Sequence, residues 1–337
     1  MDWFERLTGF AERDYDDTRN RLVVDGRNLR SCVNNRSYGI GELELVSLQS
    51  LRERAALGAG LPGRMVVRNV SGDVRLMHQS LEYTGALFQV ASQFNLLEMA
   101  SPYVTPEDGV TRYQFDHTQG PACAIAAGAG TIFRNYFATV EGGRGQTRER
   151  QLDGLADVGT ALSHVLGRPV ETLWKMRNGY ALCNSTGLAA IGTYLRSASS
   201  AETDELRTHL RIGVHSDVEV TDGDMPHRQV VSQAFCSALP VAYSREPSAD
   251  WQPFAQLVLE AAYEAALLAA VLNARRGASN IILMTRLGGG AFGNNALWID
   301  AAMQVVLEKF RDFDLDVRLV SLGDPPPSML ALEANFR

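Results

Sequence analysis

The strongest constraint on the fold lies in the last third of the chain. A long Ala/Leu-rich helical stretch (251–276) is followed by the short apolar run NIILMT (280–285) and a glycine-rich loop. The amphipathic stretch NALWIDAAMQVVLEKFRDF and the strand-like DVRLVSLG come next. Strand, loop, helix and strand in that order make a βαβ unit, here with a helix packed before it. Such units build α/β sandwiches, whose ligands bind at the carboxyl ends of the strands. The loop TRLGGGAFGNN (285–295) stands at one such end. It contains Gly288-x-Gly290-x-x-Gly293, a spacing shared with dinucleotide-binding loops but weak evidence by itself.

With 337 residues, 45% of them hydrophobic, the chain can bury a core for one large α/β domain or two modest ones. Its formal net charge is -7 and it has no run of Lys or Arg, so no nucleic-acid partner is expected. A polyanionic ligand would be held by backbone amides and helix N-termini. Cys32, Cys123, Cys183 and Cys236 are scattered, with no zinc spacing, and read as small buried or half-buried side chains in a reducing compartment. No metal or cofactor is expected. The N-terminus lacks the apolar core of a signal peptide. The Ala-rich stretch 261–274 is interrupted by Glu264 and too short for a bilayer span, so no membrane partner is expected. These features point to the cytoplasm, with delivery into another cell left open.

Residues 1–75 read as an N-terminal extension of mixed helix and strand packed on the core, and 76–337 as the main domain. MDWFERLTGFAERDYDDTRNRL has helical periodicity, ELELVSL alternates as a strand, and SLQSLRERAAL suits a helix. A turn-like break stands at 59–63, and GRMVVRNVSGDV reads as a hairpin with Val70–Asp73 at its tip. ALFQVASQFN is a buried strand running into a loop. It opens a long, Gly/Pro-punctuated connection (101–130), of a length that is usually functional or disordered. Helices are expected over QTRERQLDGLADVGTALSHV and GLAAIGTYLRSAS. Strands are expected in WKMRNGYALC, LRIGVHSDVEV and QVVSQAFCSALPVAYS. Glu260 and Glu264 are expected at exposed positions of the long helix.

Three ligand readings of the glycine loop compete. The glycines can simply shape a tight turn. A redox dinucleotide would need further strand–helix units and an acid about 20 residues on, yet only one helix and one strand follow Gly293. A phosphate loop of the Lys-Ser/Thr kind is excluded, because no such pair follows the glycines. In the third reading, bare amides converge on a diphosphate and the following helix adds its positive end. Phe292 would then lie over a ribose or close the cleft; otherwise it anchors the loop.

GGGAFGN between a strand and a helix resembles the second ligand loop of macrodomains. It is especially similar to the GCGAFGN form in poly(ADP-ribose) glycohydrolases, with Gly289 where Cys is common. FQVASQFNLLE resembles the strand of that superfamily that ends in an Asn contacting ribose, a place Asn95 would fill. The resemblance spans roughly residues 80–325. It implies a three-layer α/β/α sandwich with a mixed sheet, and an ADP-ribose cradle formed by Gly288, Gly289, Gly290, Ala291, Phe292, Gly293 and Asn294. The connection TPEDGVTRYQFDHTQGPACA carries no GGG…QEE signature. It looks more like a divergent branch that includes bacterial effectors, which remove ADP-ribose from arginine with loop carboxylates.

Hydrolysis at an anomeric carbon passes through an oxocarbenium-like state that nearby carboxylates stabilise. Asp108 and Asp116, eight residues apart across a hairpin-like excursion, are the first candidates for this work, with Glu107 beside them. Glu98 just before the loop is a weaker candidate and a ligand contact. Gln119 and Gly120 precede a helix expected to start near Pro121 and resemble phosphate- or ribose-contacting positions. Each carboxylate also has a bland alternative: an Asp-Gly turn residue at Asp108, a capping side chain at Asp116. His117 is a minor candidate, Cys123 reads as a packed small residue, and Asn184 as a helix N-cap. The expected function is therefore removal of mono-ADP-ribose from protein side chains, arginine linkage favoured. A non-catalytic ADP-ribose-binding module and a hydrolase of a free nucleotide are the alternatives.

Overall fold

The computed structural model describes residues 1–57, 61–223 and 228–336. Helices α1 (Trp3–Thr8) and α2 (Tyr15–Asn20) precede a small antiparallel sheet of β1 (Leu22–Asp25), β2 (Asn28–Ser31) and β3 (Ser37–Gly39). There follow β4 (Glu42–Ser47), α3 (Leu48–Ala56), β5 (Val66–Ser71), α4 (Val74–Gln79) and β6 (Leu87–Ala91). Two 3-10 turns, Pro106–Asp108 and Thr111–Phe115, lead to α5 (Gln119–Ala126) and α6 (Gly128–Tyr136). A ribbon of β7 (Thr139–Val140) and β8 (Gly143–Arg144), then α7 (Ala156–Leu166), precede the hairpin of β9 (Trp174–Arg177) and β10 (Tyr180–Cys183). The remainder runs α8 (Ser185–Ser197), α9 (Ser200–Thr208), β11 (Arg211–Glu219), β12 (Val230–Cys236) and α10 (Ser248–Arg275). It ends with β13 (Ile281–Met284), α11 (Ala296–Lys309), β14 (Asp316–Ser321) and α12 (Pro327–Asn335).

Seven strands form one mixed sheet in the order β4-β11-β12-β6-β13-β14-β5. The five strands from β12 to β5 are mutually parallel, and β11 runs against both its neighbours. β6 (LFQVA) sits mid-sheet and buries both its faces, as a strand covered by helices on two sides must. One face packs on α3, α8, α10 and α11, and the other on α4, α5 and α6. This is the expected α/β/α sandwich, and β13, α11 and β14 are the expected βαβ unit.

Several local expectations need correction. GRMVVRNVSGDV is not a hairpin: β5 pairs in parallel with β14 at one edge of the sheet, and its would-be return strand is α4. The turn-like break at 59–63 falls partly on residues 58–60, outside the described residues. The extension read over 1–75 contributes both edge strands, β4 and β5, so its second half is built into the sheet. Only 156–166 of the helix expected from 146 forms, and 174–183 is a hairpin rather than one strand. α10 is long and apolar enough to cross a bilayer, which corrects the expectation that no stretch reaches that length; 89% of its apolar window is buried inside the protein. Glu264 is buried, not exposed, and its carboxylate bridges Arg52 and Lys309 at 2.6 and 2.7 Å. Glu260 is half-buried and pairs with Arg207. Cys32 is exposed, whereas the other three cysteines are buried.

Candidate functional site

A cleft opens at the carboxyl ends of β6, β12 and β13, where parallel sheets place their ligands. Its walls come from several separate segments. Ala91–Gln93 continue β6, Glu98–Ala100 follow, and Asp116 with Thr118–Pro121 supplies the start of α5. The loop after β13 contributes Thr285–Gly288 and Gly290–Phe292, while Tyr180, Ala238 and Tyr243 close the far side. The enclosed space is about 170 Å³. That is less than the roughly 300–1,000 Å³ of a whole small-molecule site, so a ligand of that size would extend beyond it. Two larger hollows, of about 710 and 780 Å³, are walled by α7, α8 and α9 rather than by strand ends.

The glycine loop is shaped from within and bare on its ligand side. Gly288 has a φ of 74°, and a Cβ there would stand 2.5 Å from the Ala238 Cβ, so only glycine fits. Asn294 is buried; its amide donates to the Gly288 carbonyl at 2.9 Å and its Nδ2 to the Leu239 carbonyl at 2.8 Å. Gly293 donates to the Gly290 carbonyl. The amides of Gly290, Ala291 and Phe292 have no acceptor among the described residues, and Gly290 and Ala291 are exposed, so these donors are open to solvent or to a ligand. Gly290 needs no special conformation, and a Cβ there meets nothing within 4 Å. Its missing side chain serves open space in the cleft. Phe292 is half-buried, with its ring 5.2 Å from that of Tyr180 and 5.8 Å from that of Tyr243. It both closes the cleft and anchors the loop.

Of the acidic candidates, Glu98 and Asp116 reach the cleft. The Asp116 side chain caps the approach to α5, accepting from the Thr118 amide and hydroxyl at 2.9 and 2.7 Å through Oδ1. Glu98 lies at the floor, 3% exposed, and its Oε1 is buried with no hydrogen-bond partner. Burial pushes its carboxyl well above the usual carboxylate range; Arg134 pulls it down and the Asp116 charge pushes it up. Gly120 lets α5 begin against this floor, for a Cβ there would stand 2.1 Å from the Ala91 carbonyl oxygen and 2.3 Å from Glu98 Oε2. Gln119 fastens the same helix start to β6, accepting from the Ala91 amide at 2.8 Å and donating to the Gln89 carbonyl at 2.7 Å.

Beneath Glu98 sits Arg134, fully buried. Its Nε donates to the Leu96 carbonyl at 3.1 Å and its guanidinium lies 3.8 Å from the centre of the Phe235 ring. His215 donates from Nε2 to the Ile40 carbonyl, leaving Nδ1 to accept from Arg134 at 3.4 Å. Burial lowers the His215 pKa to about 3, so the ring is neutral and Arg134 is the fixed cation below the acid.

The other expected site residues stand elsewhere. Asp108 is exposed and spends Oδ2 on the Thr105 amide and hydroxyl, the bland turn-capping alternative. Glu107 accepts from the Arg148 amide. Neither lines the cleft, because the connection folds as two 3-10 turns rather than a hairpin that would bring both acids to one side. Asn95 is fully buried, donating to Gln151 Oε1 at 2.9 Å and accepting from the Leu97 amide; it shapes the loop and does not face the cleft. Gly289, Gly293 and Asn294 do not line the cleft; Gly289 and Gly293 are exposed, and the buried Asn294 braces the loop. Asn184 is the N-cap of α8, as read.

Sequence reasoning missed Tyr180, Tyr243, Ser92 and Gln93, and it missed Arg286. The two tyrosines arrive from a hairpin and a turn far away in the chain, with no local signal. Arg286 was legible, being the one cation beside the glycines; it lines the cleft while paired to Asp300 on α11 at 2.9 Å.

No family model matches this sequence, and no curated protein is similar to it. Among solved structures it is similar to poly(ADP-ribose) glycohydrolase from Thermomonospora curvata, at 12% identity over 96% of both chains with a TM-score of 0.45. Another similar structure is poly(ADP-ribose) glycohydrolase from Deinococcus radiodurans in complex with ADP-ribose. It is 12% identical, over 87% of this chain and 91% of that one, with a TM-score of 0.44. At these values the function has to be argued from this chain's own residues.

Proposed function

We propose that this chain is a hydrolase of ADP-ribosylated protein side chains, with arginine-linked mono-ADP-ribose as the favoured substrate. The observation that carries the reading is the meeting, in one cleft, of unpartnered glycine-loop amides with a buried carboxyl and a rim carboxylate. The amides of Gly290 to Phe292 and the start of α5 suit the diphosphate. The enclosed space then takes the distal ribose, and the adenosine end lies in the open groove.

In this reading Asp116 holds the guanidinium at the rim through its uncommitted Oδ2. Glu98 serves as the base on the ribose side. The bond from the anomeric carbon to nitrogen breaks with its electron pair going to nitrogen, giving a neutral guanidine. A water oxygen bonds to the anomeric carbon as its proton passes to the Glu98 carboxylate. That proton then moves to the guanidine, restoring the carboxylate and releasing a guanidinium. A positioned base of this kind is worth roughly 10²–10⁴-fold in rate.

The test is side-by-side incubation with arginine-, glutamate- and serine-linked substrates, together with Glu98→Gln and Asp116→Asn. Release from arginine alone is expected, lost in Glu98→Gln while the thermal shift with ADP-ribose persists. Full turnover in both variants, or a thermal shift with no release from any linkage, would overturn the hydrolase reading; the latter result would leave an ADP-ribose-binding module.

A further inference from the structure

Among the polar contacts that the N-terminal segment makes with the rest of the chain, one set converges on Val110 and Thr111. The Glu12 carboxylate accepts from the Val110 amide at 2.9 Å through both oxygens, from the Thr111 amide at 2.6 Å and from the Tyr136 hydroxyl at 2.7 Å. Trp3 on α1 donates from Nε1 to the Thr111 carbonyl at 3.2 Å. Gly109 makes room for this grip: its φ is 78°, and a Cβ there would stand 2.5 Å from Glu12 Cδ. Two further bonds tie the neighbourhood together. Asn135 on α6 donates to the Pro106 carbonyl, and the Tyr15 hydroxyl on α2 donates to the Asn135 carbonyl.

The gripped residue, Thr111, is the first of the turn Thr111–Phe115, and that turn is bonded to both acids of the cleft. Asp116 closes it, its amide donating to the Tyr113 carbonyl at 3.1 Å. Tyr113, buried in the turn's centre, accepts from the Glu98 amide through its hydroxyl at 3.0 Å. A five-residue 3-10 turn has little cooperativity to hold itself. Its position is therefore set by what grips it: Glu12 and Trp3 at the front and the buried Tyr113 at the centre.

We infer that Glu12 and Trp3 form a clasp through which the N-terminal segment positions Asp116 and Glu98, making Glu12 a positioning residue for the chemistry. The inference rests on the hydrolase reading for its rate consequence and on geometry alone for its structural one. Removing Glu12 strands the Val110 and Thr111 amides and frees the front of the turn. The glycine loop, on β13 and α11, has no part in the clasp.

The experiment compares wild type, Glu12→Ala and Glu12→Gln by amide hydrogen exchange, ADP-ribose affinity and turnover. In Glu12→Ala, exchange should rise at Val110, Thr111, Glu98 and Asp116 but not in α10. The kcat should fall roughly ten- to hundredfold, as expected when reacting groups shift by about an ångström. The Kd for ADP-ribose should stay within about twofold. Glu12→Gln keeps one acceptor oxygen and should recover part of the rate. Unchanged kcat despite freed amides would overturn the clasp, as would equal losses of kcat and affinity with exchange rising throughout. If the wild type releases ADP-ribose from nothing, the hydrolase reading fails. The clasp is then decided by exchange at Glu98 and Asp116, and unchanged protection there in Glu12→Ala overturns it.

Discussion

Replacing Gly290 by valine separates a glycine kept for a ligand from one kept for the fold. Gly290 is not in the left-handed region and an added Cβ meets no heavy atom within 4 Å. The folded state therefore tolerates the side chain, and the narrower unfolded ensemble stabilises the protein by about 0.4–1 kcal/mol. Bound ligand is another matter, because the isopropyl group occupies the approach to the free amides of Gly290 and Ala291. Two hydrogen bonds to a charged phosphate, at about 1.5–3 kcal/mol each, amount to roughly 3–6 kcal/mol. That is at least a hundredfold in Kd. The assay is thermal unfolding with and without ADP-ribose. At a hundredfold excess over its Kd the ligand stabilises wild type by about 2.7 kcal/mol, and Gly290→Val should lose that gain while its ligand-free Tm holds or rises. Gly288→Ala is the contrast. Its φ of 74° and the 2.5 Å approach to Ala238 Cβ should cost about 1–3 kcal/mol of stability even without ligand. Wild-type ADP-ribose affinity in Gly290→Val would refute the cradle.

Three further outcomes are expected. Because Glu98 must be ionised to act as base and burial raises its pKa, turnover should rise with pH along a limb above the ordinary carboxylate range; a limb near pH 4 would remove Glu98 from the role. Burial raises Asp153 from 3.8 to about 6, so its charge opposes folding progressively above pH 4. Asp153→Asn should therefore stabilise the protein by up to ~3 kcal/mol at pH 7 and by nothing near pH 3.5, read from urea midpoints at the two pH values. Glu264→Ala leaves Lys309 without its carboxylate and Arg52 with only Asp204, and should cost roughly 3 kcal/mol by the same measurement; a loss under about 0.5 kcal/mol would mean solvent replaces the bridge.

Legibility followed the range of the forces involved. The βαβ unit at the end of the chain could be read because hydrophobic periodicity and glycine punctuation are local. The glycine loop was readable for the same reason. The acids were only half readable. Asp116 does line the cleft, but spacing also pairs it with Asp108, and a 3-10 turn does not carry spacing across the way a hairpin does. Glu98 is legible only as a ligand contact and a weaker candidate, since nothing in FQVASQFNLLE reveals a fully buried arginine coming from residue 134. The edge strand at 66–71 was misread because its partner, β14, lies some 250 residues away.

What the amino-acid string determined by itself was the alternation of strand and helix, the bare loop after β13, and an acid-bearing connection after β6. Each depends on neighbours within a few residues. Which acids meet the loop, which tyrosines close over it, and what holds the turn between them were decided only by tertiary packing. Desolvation of Glu98, the Arg134 charge below it and the grip of Glu12 on Thr111 are all contacts between distant segments, and they exist only once the sheet has brought those segments together.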